Sequence, residues 1–214
     1  GADATAYGWG ILVRESKNIE IRNLGIMWFG DDGVSLDTKN ENIWVHNNDV
    51  FYGAPGSDSD QVKGDGSIDV KAFSTYVTVS YNHFWDSGKS SLAGMSDSEE
   101  FFITYHHNWF DHSDSRHPRI RVGSIHVYNN YFDGVSKYGV GVTKGASAFV
   151  ENNYYRNCKY PMLSSGQGTD KYNSATGKYT DKGTFSGEDG GIIKEFGNII
   201  IGETRFVNQE TTPD

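Results

Sequence analysis

Residues 101–110, FFITYHHNWF, and residues 124–133, SIHVYNNYFD, share one pattern: a short strand with apolar residues at alternate positions, then Asn, then large apolar side chains. NIEIRNLGI (18–26), NIWVHNNDVF (42–51), YVTVSYNHFW (76–85) and SAFVENNYYR (147–156) look like copies of the same unit. Alignment places Asn48, Asn82, Asn108, Asn130 and Asn153 in register, at intervals of 34, 26, 22 and 23 residues. Asn198, in IIKEFGNII, is a further candidate 45 residues on, and Leu24 fills the Asn slot of the first copy. The shortest interval reads as the bare coil and the longer ones as the same coil with loops inserted.

A second apolar strand precedes most copies, in GVSLD (33–37), SIDVKAF (67–73), PRIRV (118–122) and YGVGVT (138–143). No segment sustains a 3.6-residue period with caps, so helix is minor. Short strands at near-constant coil spacing predict an all-β parallel β-helix, whose coils stack at roughly 4.8 Å and cannot bury their faces alone. A recurrent Asn tolerates a tight bend and can hydrogen-bond up and down the stack, satisfying main-chain groups that the turn leaves unpaired. The competing architecture is an antiparallel sandwich, but NG hairpin signals are missing. Two long departures, Gly53 to Gly66 and Ser164 to Gly191, read as polar loops on the scaffold.

The composition fits this reading. Hydrophobic residues make up 36% of the 214, but 26 Gly with 5 Trp, 13 Tyr and 12 Phe indicate an ordered, turn-rich chain. This is enough for one domain with a sizeable core. A formal net charge of -9 argues against a general nucleic-acid binder. Such a chain can still hold a polyanion where a basic patch or a divalent cation reverses the local field. Cys158 is the single cysteine, so no intramolecular disulfide forms. No apolar run approaches the roughly 20 residues of a membrane span.

The charged residues follow the repeat. Asp32 lies 16 residues before its register Asn, Asp65 and Asp69 lie 17 and 13 before theirs, Lys89 19, and Arg116 and Arg121 14 and 9. All six thus fall at or just before the first strand of successive coils, within roughly 15 Å on one side of the stack at the usual strand spacing. Asp32, Asp65 and Asp69 are hard oxygen donors of the kind Ca²⁺ takes, although their DG pairs also read simply as turns. Arg116, Arg119 and Arg121 present forks that match carboxylates; the same run reads equally as a solvated basic edge strand. His106 and His107, in a strand, should point to opposite faces. His46, His83 and His126 fall one per coil and read as structural or at the rim.

The series DGSIDVK (65–71), YVTVSYNHFWDSGKSSLAG (76–94), ITYHHNWF (103–110), RHPRIR (116–121) and HVYNNYF (126–132) closely resembles the pectate lyases of the first polysaccharide lyase family. The resemblance runs from about Asn18 to Cys158. It implies a right-handed parallel β-helix with a stacked asparagine ladder, and Ca²⁺-dependent β-elimination of polygalacturonate by a secreted, monomeric enzyme that engages neither nucleic acid nor membrane. By the same resemblance Asp32, Asp65 and Asp69 match calcium ligands, with Asp31 a helper. Lys89 and Arg121 match substrate-binding cations, joined by Lys71 and Arg119, and Arg116 matches the residue proposed as catalytic base. Two departures stand out. VHNN (45–48) replaces an Asp-His pair common in the family, and the chain begins where the family is already several coils in, so the expected single domain lacks the N-terminal cap and first coils. Within the same fold, a pectin lyase or a polygalacturonase is the alternative; outside enzymes, a β-helix that binds acidic glycans or acts as an adhesin.

Overall fold

The computed structural model describes residues 9–54, 63–95, 101–165, 171–173, 178–180, 188–202 and 204. They form a right-handed parallel β-helix of three seven-stranded sheets. The first sheet stacks Ile11–Val13, Val34–Leu36, Ile68–Val70, Leu92–Ala93, Arg119–Arg121, Val140–Thr143 and Met162–Ser164. The second stacks Lys17–Arg22, Glu41–His46, Thr75–Ser80, Phe102–His106, Ser124–Tyr128, Ser147–Glu151 and Ile192–Phe196. A third, from Gly25–Ile26 to Ile199–Ile201, is built from the apolar residues that follow each register Asn. An antiparallel pair, Lys171–Asn173 with Lys178–Thr180, is inserted in the last coil. The described residues form no helix, so none is long and apolar enough to cross a membrane.

The core is built by stacking like on like. Ile43, Val77, Ile103 and Ile125 lie in register along the second sheet, all buried. Phe84, Phe110, Phe132 and Tyr155 stack inside the third, with centroids 4.7, 4.9 and 4.3 Å apart. Such offset stacks add to simple area burial.

The asparagine ladder runs as the repeat register requires. Asn48, Asn82, Asn108, Asn130, Asn153 and Asn198 form it, and the Leu24 main-chain N–H, in the slot lacking Asn, donates to Asn48 Oδ1 at 3.1 Å. In each coil the preceding residue turns the chain with a left-handed φ, for example Asn47 at 53°, His107 at 54° and Asn129 at 53°. Asn108 shows the logic of a rung. Its side-chain amide donates to Val79 O at 2.9 Å and Asn130 Oδ1 at 3.0 Å, while its Oδ1 accepts from the main-chain and side-chain nitrogens of Asn82 at 3.1 and 3.2 Å. Asn108→Ala would strand those groups in the interior, so the variant is expected to lose on the order of 3 kcal/mol in a denaturant titration. A loss below about 1 kcal/mol would mean that the ladder is ornament rather than support.

His106 and His107 do not point apart as the strand reading predicts. His106 ends its strand and His107 already occupies the turn, so the two Nδ1 atoms meet at 2.9 Å. Both loop segments are described in part. Residues 55–62 lie outside the description, but the base of that loop is closed by Gly53 N–H donating to Lys63 O at 2.8 Å. Of the second loop, residues 166–170, 174–177 and 181–187 lie outside it.

Candidate active site

Strand alternation in the first sheet sends Ile68, Val70 and Ile120 into the core and Asp69, Arg119 and Arg121 to the outer face. Parallel registry then stacks the charged positions. Ser35 pairs with Asp69, Leu92 with Arg119, and Lys89 bridges Gly66 on one side and Ser115 on the other. Asp32, Asp65, Asp69, Lys89, Arg116 and Arg121 therefore share one face over four coils, as their spacing predicts.

The acidic end holds two linked groups. Carboxylate oxygens of Asp31, Asp32 and Asp65 lie within 4.8 Å of one another. Asp69, the third ligand expected from the sequence, stands beside this trio rather than in it. Its Oδ1 accepts from the Leu92 N–H at 2.9 Å and its Oδ2 lies 3.4 Å from the Lys71 ammonium, which also contacts Asp32 Oδ2. Gly66 makes this possible: a Cβ there would meet Asp69 Oδ1 at 2.2 Å. Burial, reinforced by the Asp32 carboxylate, pushes Asp69 up to about 8, against the pull of Lys71, the Leu92 N–H and Arg116. Burial works against the Lys71 charge, but Asp69 and Asp32 outweigh it and hold the ammonium above its usual range. A cleft of about 340 Å³ opens here, lined in part by Arg14, Asp31, Asp32, Asp37 and Lys71.

The basic end follows directly. Lys89 is buried and its ammonium donates to Asp65 Oδ1 at 3.2 Å, joining the two ends. Arg116 follows Ser115 in a left-handed turn, φ 63°, with its carbonyl fixed by the Ser91 N–H at 2.8 Å. Its guanidinium hydrogen-bonds the buried Tyr138; burial raises that phenol, while Arg116 and Arg119 oppose the rise. Arg119 Nη2 donates to Glu188 Oε2 at 3.1 Å and Arg121 Nη1 pairs with Glu188 Oε1.

His117, between Arg116 and Pro118, is wholly buried and lies with its Nδ1 2.7 Å from the Tyr138 carbonyl oxygen. Burial pushes its imidazole down to about 4, so at neutral pH it is uncharged, and a neutral ring can only donate to that carbonyl. It stands edge-on to Phe110. His46 is likewise structural, stacked on Trp44 and held by Glu20 and Asn47. Tyr138 and Glu188 are the site residues that sequence reasoning missed. Tyr138 carries a weak signal as the first residue of YGVGVT, but Glu188 lies 69 positions from Arg119 and has none.

Fold and site together define a right-handed parallel β-helix protein with a two-signed, carboxylate-and-guanidinium cleft along one sheet. A family model described as pectate lyase matches residues 1–194. The pectate trisaccharide-lyase of Bacillus licheniformis is 38% identical over 169 residues, covering 77% of this chain and 49% of its own. The solved structure of pectate lyase C from Erwinia chrysanthemi, at pH 9.5 with 30 mM Ca²⁺, superposes with a TM-score of 0.74 at 26% identity, over 94% of this chain and 56% of that one. A pectate lyase from Bacillus sp. N165 in complex with trigalacturonate gives 0.73 at 28% identity, over 97% and 64%. The chain belongs to the pectate lyase family. It spans about half the length of the curated relatives it matches.

Proposed function

We propose that this chain cleaves de-esterified polygalacturonate by β-elimination, giving 4,5-unsaturated oligogalacturonates outside the cell, with calcium as cofactor. The observation that carries the reading is the continuous file of Asp32, Asp65, Lys89, Arg116 and Arg121 on one outer face, acidic at one end and cationic at the other. Membership of the pectate lyase family supports it. A hydrolase would need carboxylates arranged around the scissile bond rather than a guanidinium.

The acidic end fits a calcium ion. Its donors are carboxylate oxygens from adjacent coils, and Asp32 Oδ1 is buried with no hydrogen-bond partner. Asp31, Asp32 and Asp65 would hold the ion, with Asp69 alongside. Calcium bound there would withdraw electron density from the substrate carboxylate next to the C5–H bond. Lys89 and Arg121 bind and orient uronate carboxylates, with Lys71 and Arg119 extending the cationic file. Arg116 faces the C5 proton and takes it, the C5–H electron pair becomes the C4=C5 double bond as the C4–O bond breaks, and the departing oxygen takes a proton from solvent water. A guanidinium normally carries its proton, so the reaction draws on alkaline pH to supply the neutral base.

The test is the conjugated double bond of the product. Polygalacturonate incubated with the chain at alkaline pH is expected to gain absorbance near 230–240 nm (about the range of a conjugated enoate), and chelator is expected to abolish the gain. A gain indifferent to chelator and larger on methylated pectin would replace this reading with a pectin lyase. Reducing ends without absorbance would indicate a hydrolase. Binding without cleavage at any calcium level would leave a glycan-binding β-helix.

A further inference from the structure

We propose that Glu188 is an internal stand-in for a substrate carboxylate: it sits in the anion seat between Arg119 and Arg121 and must leave before a uronate can dock there. The inference deepens the reading above and rests on it. Arg119 and Arg121 flank the core residue Ile120, so their guanidinium groups rise from the same face. The Glu188 carboxylate spans them, Oε2 to Arg119 and Oε1 to Arg121. Two guanidinium groups converging on one carboxylate are also what recognition of a uronate requires.

The contact is neither free surface nor core. The side chains of Arg119, Arg121 and Glu188 retain 19%, 19% and 21% exposure, so the pairs are partly shielded yet open to an incoming anion. The backbone beside Glu188 is fixed independently of that contact. Asp189 O accepts from the Lys144 N–H at 2.7 Å, and Gly190 O from the Gly145 N–H at 2.8 Å. The Glu188 side chain can therefore swing out while its main chain stays docked. Displacement exchanges one carboxylate for another of the same chemistry, so Glu188 costs affinity without touching the reacting bond. It thus tunes how tightly the basic end of the cleft grips an acidic polymer.

Glu188→Gln keeps the shape and removes the charge. Calorimetric titration with trigalacturonate is expected to show roughly fivefold tighter binding than the parent. In the eliminase assay KM on polygalacturonate should fall by a similar factor, with kcat within about twofold. Glu188→Ala is expected to behave alike, and matching thermal midpoints exclude a folding defect. If the parent forms unsaturated product but both variants bind trigalacturonate equally or more weakly, Glu188 is a positioning residue for the two arginines and the inference falls while the proposed activity stands. If no product forms yet the variants bind more tightly, the activity falls and the inference stands. If neither parent nor variant binds trigalacturonate, both fall.

Discussion

Arg116→Lys is expected to cut turnover on polygalacturonate by about 100-fold or more while KM stays within about threefold. The substitution keeps the positive charge and an unbranched stem at the left-handed turn, φ 63°. It also keeps a donor for Tyr138. What it removes is the planar fork set at one height in the cleft, since a lysine ammonium is a point charge on a flexible stem. The comparison is informative because lysine gives up its proton more readily than a guanidinium. If basicity alone mattered, Arg116→Lys would be active, and more so at high pH. Loss of kcat across the whole alkaline range, with trigalacturonate binding preserved by calorimetry, would assign the role to a guanidine held in place. Full turnover in Arg116→Lys would remove Arg116 as the base.

Stability without calcium is expected to decline as pH rises from 5 to 9, with the thermal midpoint dropping on the order of 5 °C. The sign follows from Asp69. Burial and Asp32 hold its folded carboxyl up to about 8, against 3.8 in a free chain. Between those values the folded state binds more protons than the unfolded one. The contribution is thus complete below about 4 and is lost as pH climbs through about 8. Lys71 does not offset the loss, because its ammonium is raised above a range that already lies beyond pH 9. Calcium should restore the midpoint most at pH 9, where a bound cation compensates an ionised Asp69. Asp69→Asn should flatten the pH slope in chelator, and a slope unchanged by that substitution would dismiss Asp69 as its source. In Asp32→Asn the calcium-induced rise should shrink at every pH.

Much of this molecule was legible in its sequence because the repeat is enforced by hydrogen bonds at a fixed place. The six register asparagines are all rungs, and spacing from them put the charged residues on one face. The misses have local causes. Leu92–Ala93 is a two-residue strand between SS and Gly94, too short to show alternation, and it is held by neighbours on both sides. Among the described residues Met162–Ser164 ends the first sheet, paired only with Val140–Thr143 and followed by a long loop. His106 and His107 fell on either side of a strand end that alternation cannot locate. Asp31, a helper in the sequence reading, lies with Asp32 and Asp65 in the acidic trio, while Asp69 stands beside it against the Lys71 ammonium. Glu188 reaches its partners only through the stacking of distant coils.

The ladder has a further consequence for how such a chain can change over time. Each Asn reads its position from the coil beneath it, so an error in one loop is cancelled at the next turn and does not accumulate. Intervals of 22 and 45 residues close on the same atoms, at 3.0 Å in both cases. Loops around the cleft can therefore lengthen, shorten or take up an inserted hairpin without moving the face that carries the chemistry. The scaffold separates the evolution of what the cleft grips from the evolution of what holds it up.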